Sequence, residues 1–329
     1  MSDTLFLSSE DVAGLASPAE YVEAVRAGYR QRGNGSPAEP RTKFLSEEPP
    51  GMLTTYGAVL PDTGAMGGYM YSAGFGARDA WFVTPLFDTE SGELLAILDG
   101  AHMNPYKTGA VGAVGVDELA RDDATSLAII GSGSQARGQL RAIDTVRDLD
   151  TVWVYSPTKE SRESFAGEMD RELDESVAAV ASSSAAIEDA DIVVTATTSS
   201  EPVFDGDHLE PGTHVTAMGQ YHAEKRELDA TVIERATYVP DLRKRATSDA
   251  GSFLLAMDEG RVDETHIHAE LGEVVAGVVE GRTTDEEITV FDSGGTGIET
   301  VAAGFLLYER ARQKGLGTTI DFSPASQAF

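Results

Sequence analysis

Ser126-Leu127-Ala128-Ile129-Ile130-Gly131-Ser132-Gly133-Ser134-Gln135-Ala136 is the stretch on which the fold turns. A short apolar run with strand character leads into G-x-G-x-x-A, and a helical pattern over 134–146 follows. Each small residue has a physical task in such a strand–turn–helix. Gly131 permits the tight turn, Gly133 lets backbone approach a pyrophosphate, and Ala136 lets the helix pack closely on the strand. The amide groups and dipole of the helix start, at Ser134 and Gln135, attract phosphate. The pattern therefore predicts a dinucleotide-binding turn.

The surroundings agree with that reading. Short β runs at 151–155, 176–181, 191–196, 214–218, 237–240 and 288–291 alternate with helical stretches such as 160–173. Strand–helix alternation predicts a parallel sheet with helices on both faces. Further helices are expected at 251–259 and 270–279. The residue ending the second strand normally reads the adenosine ribose, and an acid there favours NAD. Here the position is Ser156, followed by Thr158, Lys159 and Arg162, which suit a 2′-phosphate. The cofactor expectation is NAD or NADP, leaning to NADP.

The first third reads differently. Ser17-Pro18-Ala19-Glu20 is a helix start with a capping box, and the helix runs to about residue 30. Strands are expected at 41–45, 52–60, 67–72, 81–88 and 94–98, separated by Gly- and Pro-containing turns. A small-residue helix at 107–120 and a long helix at 297–314 follow, and the tail after Gly315 reads as irregular.

Composition narrows the partners. The chain has 329 residues, 25 Lys+Arg against 55 Asp+Glu, a formal charge of −30 and no cysteine. A nucleic-acid binder needs clustered positive charge to displace counterions, so nucleic acid is excluded, and anionic membrane surfaces are disfavoured. Without cysteine there are no disulfides, thiolate metal sites or thiol nucleophiles. The first fifteen residues lack the basic start of a signal peptide, and no apolar run approaches the ~18 residues of a membrane span. Cytoplasmic residence is the expectation. Hydrophobic residues at 41% are enough for a sizeable core, and the acidic excess is spread along the chain. Such a surface repels itself in dilute salt but is screened near 1 M, where the Debye length is about 3 Å. This composition resembles that of halophilic proteins.

A set of further segments carries a family resemblance. They are Leu86-Phe87-Asp88-Thr89-Glu90-Ser91-Gly92, Leu98-Asp99-Gly100, Lys107-Thr108-Gly109-Ala110 and the Gly131–Arg137 turn. Thr195-Ala196-Thr197-Thr198-Ser199, Arg226-Glu227-Leu228, Glu270-Leu271-Gly272-Glu273 and Asp292-Ser293-Gly294-Gly295-Thr296-Gly297 follow in order. Together they resemble the family of ornithine cyclodeaminase, mu-crystallin and archaeal alanine dehydrogenase. The resemblance implies an α/β fold: a Rossmann-type doubly wound parallel sheet, residues 119–298, inserted into a smaller α/β dimerisation and substrate domain, residues 1–118 plus 299–329. It also implies NAD(P)-linked chemistry on a small anionic amino or imino acid, and a homodimer.

Carried over residue by residue, the resemblance makes Arg41 and Lys107 the holders of the substrate carboxylate. It puts Met70, in Gly67-Gly68-Tyr69-Met70-Tyr71, where the family has its catalytic lysine, and Tyr221 where it has an aspartate. Both departures argue against ornithine cyclodeamination. Lys43, on the same strand face as Arg41, and Tyr221 and His222 are the candidate proton donors. A slip of one register would bring Tyr69 or Tyr71 to the pocket, and Tyr56 and Arg78 are further candidates. Thr197, Met218, Gly219, Asp292, Ser293 and Gly294 are expected along the cofactor. His266-Ile267-His268 reads as a loop before a helix, and no metal site is expected. The reading is an amino or imino acid oxidoreductase. Its rivals are an ammonia-releasing cyclodeaminase that uses NAD catalytically, and a non-enzymatic NADP-dependent binder.

Overall fold

The computed structural model describes residues 2–76 and 79–327. Arg78, one of the sequence candidates, lies outside them. In chain order the elements are β1 Ser2–Leu7, α1 Ser9–Val12, α2 Pro18–Gly33, β2 Thr42–Glu47, β3 Pro50–Leu60, β4 Ala65–Gly74, β5 Trp81–Asp88, β6 Leu94–Asp99 and α3 Met103–Leu119. There follow β7 Ser126–Ile130, α4 Ser134–Ile143, β8 Thr151–Tyr155, α5 Lys159–Glu172, β9 Ser176–Ala179, α6 Ser183–Ile187, β10 Ile192–Thr195 and β11 His214–Ala217. The last are α7 Ala230–Arg235, β12 Ala236–Pro240, α8 Arg243–Asp249, α9 Gly251–Asp258, α10 Leu271–Val275, β13 Ile288–Asp292, α11 Gly297–Lys314 and β14 Thr318–Phe322.

Backbone contacts divide the chain into Met1–Lys107 with Thr296–Phe329, and Thr108–Gly295. The sequence reading set the seams at 118/119 and 298/299. The first seam falls earlier because α3 leaves the first unit partway along. A Cβ on Gly109 would stand 2.1 Å from the Gly138 carbonyl oxygen, so α3 and α4 meet backbone to backbone. Gln139 Nε2 also donates to the Thr108 carbonyl at 2.7 Å.

The first unit is built on a mixed sheet in the order β14-β1-β6-β5-β4-β3-β2. From β6 through β2 neighbouring strands are antiparallel, and β1 pairs parallel with β6. Burial alternates along β3: Thr54, Tyr56, Ala58 and Leu60 are buried and the intervening residues are not. Alternation of this kind marks a sheet covered on one face only. The cover is α2 and α11, which cross at Gly28, where a Cβ would meet Ile298 and Ala302. Both helices start in a capping box, Ser17 with Glu20 and Thr296 with Glu299. The tail after Gly315 is not irregular: β14 pairs antiparallel with β1, Ser2 opposite Phe322 through Phe6 opposite Thr318. A short, largely exposed edge strand has no burial alternation of its own to announce it.

The second unit carries a wholly parallel sheet in the order β12-β13-β11-β10-β7-β8-β9. The order runs outward in both directions from β7 and β10, as in a doubly wound sheet. All of β10, β11 and β13 is buried, as strands covered on both faces must be. Three helices were not anticipated, α6, α7 and α8; all are short. The helix expected at 270–279 is only the five-residue α10, and the chain turns at Gly277, with φ of +70°.

Candidate functional site

In the first unit, two cations converge on a tyrosine cluster at the covered face of the sheet. Register places Tyr56 of β3 opposite Tyr69 of β4, and Thr54 opposite Tyr71. The Tyr56 and Tyr69 rings lie 5.6 Å apart and those of Tyr69 and Tyr71 5.9 Å apart. Phe82 of β5 stacks on Tyr69 at 5.2 Å. Arg41, one residue ahead of β2, lies over the Tyr56 ring at 5.3 Å and donates from Nη1 to the Tyr71 hydroxyl at 3.2 Å. Lys107 of α3 puts its ammonium 5.0 Å from the centre of the Tyr69 ring. It is 2% exposed and, among the described residues, pairs with Glu299 at 3.8 Å.

Glu299 is held from several sides. The Thr296 amide donates to it at 2.5 Å, the Thr296 hydroxyl donates to its other oxygen, and the Tyr29 hydroxyl reaches it at 3.3 Å. Burial pushes the Lys107 pKa below the usual lysine value; Glu299 opposes that shift and Arg41 reinforces it. Burial raises the Tyr56 and Tyr69 hydroxyls well above the usual tyrosine range. The hydroxyls of Thr54 and Thr84, fully buried on the same face, have no hydrogen-bond partner among the described residues. Unsatisfied buried hydroxyls are uncommon and call for a partner that the described residues do not supply.

Met70 does not belong to this cluster. It lies between the two buried tyrosines in sequence, so the strand's period of two turns it to the opposite face. It is 47% exposed, opposite Thr55 and Val83. The residues of β4 beside Arg41 and Lys107 are Tyr69 and Tyr71, the alternative register of the sequence reading. Lys43 stands opposite Thr54, half-buried. Glu299, Tyr29 and Thr296 were missed as site residues. The spacing Thr296-Gly297-Ile298-Glu299 was a readable signal, since a capping box places its acid at the helix start.

In the second unit, the expected cofactor residues gather at the carboxyl ends of β7, β8, β10, β11 and β13. Gly131 has φ of +126°, and a Cβ there would lie 2.3 Å from the Ala196 carbonyl oxygen. Gly133 is the N-cap of α4, gives it no side-chain cap, and has open space where a Cβ would stand. Ser134 is exposed at the helix start, and Gln135 Oε1 is buried without a partner among the described residues. An uncapped helix start, with its free amide donors facing open space, fits a dinucleotide pyrophosphate.

Ser156 is buried and takes a 2.9 Å hydrogen bond from the Ser132 hydroxyl. Arg162 donates to the Ser156 carbonyl at 2.9 Å and lies over the Tyr155 ring at 5.8 Å. Lys159 points elsewhere: it is exposed and pairs with Glu163 one helical turn on, at 3.6 Å. Thr197 and Gly219 are joined by a residue not singled out from sequence. Glu227 accepts from the Thr197 amide at 2.7 Å, the Gly219 amide at 2.8 Å and the Thr195 hydroxyl at 3.1 Å. Met218, between them, donates its amide to the Thr195 carbonyl at 2.9 Å.

The Asp292 side chain is taken up inside the protein. It accepts from the fully buried Arg245 at 2.7 Å and from the Tyr238 hydroxyl at 2.7 Å. Arg245 also donates to Asp241 at 2.5 Å, and Asp241 accepts the Gly294 and Gly295 amides at 2.8 and 3.2 Å. The network fixes the turn after β13. Ser293 Oγ in that turn is buried and without a partner among the described residues. Tyr221 and His222 stack at 5.0 Å in the loop after β11. The ring nitrogens of His266 and His268 meet the carbonyls of Ile233 and Glu280 at 2.6 and 2.8 Å. No helix among the described residues is long and apolar enough to cross a membrane.

Comparison with known proteins bears on both units. The profile of the ornithine cyclodeaminase/mu-crystallin family matches residues 2–315. A Δ(1)-pyrroline-2-carboxylate reductase of Bacillus cereus is 36% identical over 241 residues, 73% of this chain and 74% of that protein. The structure of the Thermococcus litoralis Δ(1)-pyrroline-2-carboxylate reductase, in complex with NADH and L-proline, superposes with a TM-score of 0.91 at 34% identity, covering 96% of this chain and all of that one. An archaeal alanine dehydrogenase dimer with bound NAD superposes at 0.90 with 31% identity, covering 97% of this chain and 99% of that one.

Proposed function

We propose, from the premise that the chain belongs to the ornithine cyclodeaminase/mu-crystallin family, that it is an NAD(P)-dependent oxidoreductase interconverting a small imino acid and the corresponding amino acid. The observation that carries the reading is the pairing of Arg41 and Lys107 around Tyr56, Tyr69 and Tyr71. Arg41 offers a planar fork that matches a carboxylate. Its donation to Tyr71 and its position over Tyr56 fix the fork before any substrate arrives. Lys107 adds a second positive charge in a buried setting, where charge is weakly screened. Tyr69, Tyr71 and Phe82 add apolar ring surface beside the cations, suited to a small ring, and the reductase relatives act on a cyclic imine.

Gly131, Gly133, Ser134 and Gln135 hold the pyrophosphate, with Thr197, Met218, Gly219, Ser293 and Gly294 along the rest of the cofactor. The dinucleotide, when bound, supplies or accepts a hydride; the protein's task is to position and to move a proton. Ser156 in place of an acid, with Arg162 anchored beside it, supports NADP over NAD. The uncovered face of the first unit's sheet supports a homodimer. Phe44, Leu53, Met70, Trp81 and Val83 are all exposed there, 75% for Trp81, as one apolar patch. A single-chain mass by light scattering in molar KCl would contradict that assembly.

The test of function is consumption of NADPH or NADH, followed at 340 nm in molar KCl, with Δ(1)-pyrroline-2-carboxylate and with 2-oxo acids plus ammonia or methylamine. Turnover of at least one imine is expected. Ammonia release from ornithine without net cofactor change would contradict the reading.

A further inference from the structure

We infer that Lys107 is the residue that exchanges a proton with the substrate nitrogen, and that Glu299 positions it. The inference rests on the oxidoreductase reading above and assigns the proton donor within it.

Three observations meet at this side chain. The first is its chemistry: an ammonium can give up a proton at accessible pH, whereas a guanidinium cannot. The second is geometry. The ammonium stands 3.8 Å from the Glu299 carboxylate, too long for a hydrogen bond. Its N–H groups are therefore not tied to the acid that holds it in place. Glu299 itself is locked by Thr296 and Tyr29. The third is setting. Lys107 is buried against the face of Tyr69, near the Arg41 that would take the carboxylate. Among the described residues, the charged and titratable groups facing it are Glu299 from α11, Tyr69 from β4 and Arg41 ahead of β2, with Tyr56 and Tyr71 one ring further out. Burial lowers its pKa toward the range of a working acid–base group.

The step balances simply. The C=N carbon gains the cofactor's hydride with its two electrons, and the π pair moves to nitrogen. That nitrogen takes one proton as an N–H bond of Lys107 breaks, leaving a neutral amine that solvent reprotonates. Oxidation of the amino acid runs the same path in reverse. Reduction therefore needs protonated Lys107 and weakens as pH rises through its pKa, below the ordinary lysine range. Oxidation needs the neutral amine and strengthens over the same interval.

The experiment combines Lys107→Arg with a titration of the wild-type protein. The chain has only six lysines, so the ¹⁵Nζ signal of Lys107 can be assigned by its loss in the variant. Lys107→Arg is expected to keep KM within a few-fold, to lower kcat by roughly 10²-fold or more, and to lose the alkaline limb of the reduction profile. The Lys107 signal is expected to titrate below the exposed lysines. Glu299→Gln should move the limb to still lower pH, because the group that favours the ammonium is gone. Near-wild-type kcat with an unchanged pH profile in Lys107→Arg would overturn the inference and leave the oxidoreductase reading standing. So would a Lys107 signal titrating with the exposed lysines. Failure of the wild-type chain to turn over any imine would overturn both.

Discussion

Arg41 lies over the Tyr56 ring and donates to the Tyr71 hydroxyl, and these contacts orient its guanidinium. A charge-assisted, bidentate carboxylate contact is worth about 2–3 kcal/mol. Arg41→Ala should accordingly lower kcat/KM for reduction by roughly 30- to 150-fold, mostly through KM, with little change in cofactor affinity. Arg41→Lys should recover only part of the loss, because the fork is gone. Steady-state kinetics on the two variants decide this, and full activity in the alanine variant would remove Arg41 from the site. At this scale the structure brings together the two cations named from sequence, and it differs from the sequence reading in what surrounds them. Arg41 and Lys107 could be carried over by motif. Met70 could not be distinguished from Tyr69 and Tyr71, because a one-residue shift exchanges the faces of a strand. Glu299 was readable as a capping-box acid, but its pairing with Lys107 and the reach of Glu227 to Thr197 and Gly219 join groups that no local spacing connects.

At the scale of elements, the cofactor end of the parallel sheet is held by internal carboxylates. Glu227 gathers the loops after β10 and β11 through three donors, and the Arg245 network does the same for the turn after β13. Removing the acceptor strands buried amides and a hydroxyl. Glu227→Ala should cost about 2–4 kcal/mol, read as a lower Tm, and should weaken NAD(P)H binding in a fluorescence titration. Unchanged cofactor affinity would mean that these loops do not contact it. Burial holds the Glu227 pKa above its unfolded value. This group's contribution is then full below the unfolded pKa and is lost as pH rises through the folded one. Much of this architecture was legible in the chain. The parallel strands read as short apolar runs and α11 carries a capping box, and their limits fell within a few residues of expectation. The edge strand β14, its neighbour β1 and the short helices α6, α7 and α8 did not announce themselves. Their positions are set by pairing and packing with distant segments, not by a local pattern.

For the molecule as a whole, the charge of −30 is a statement about its surface and its solvent. The site assigned to the substrate carries two cations within that acidic chain, so the global charge says little about the ligand. Self-repulsion of the acidic surface should be relieved by salt. Raising KCl from 0.1 to 2 M is expected to raise Tm by several degrees, measured by scanning calorimetry. A flat or falling Tm would remove the reading of the acidity as an adaptation to salt.

The most direct test of the central claim is the fate of the transferred hydrogen. Cofactor deuterated at the transferring C4 position, incubated with Δ(1)-pyrroline-2-carboxylate in molar KCl, should deliver one deuterium to the α-carbon of the proline formed, in step with cofactor oxidation. Proline without α-deuterium, or no proline at all while ornithine yields ammonia at constant cofactor, would contradict it.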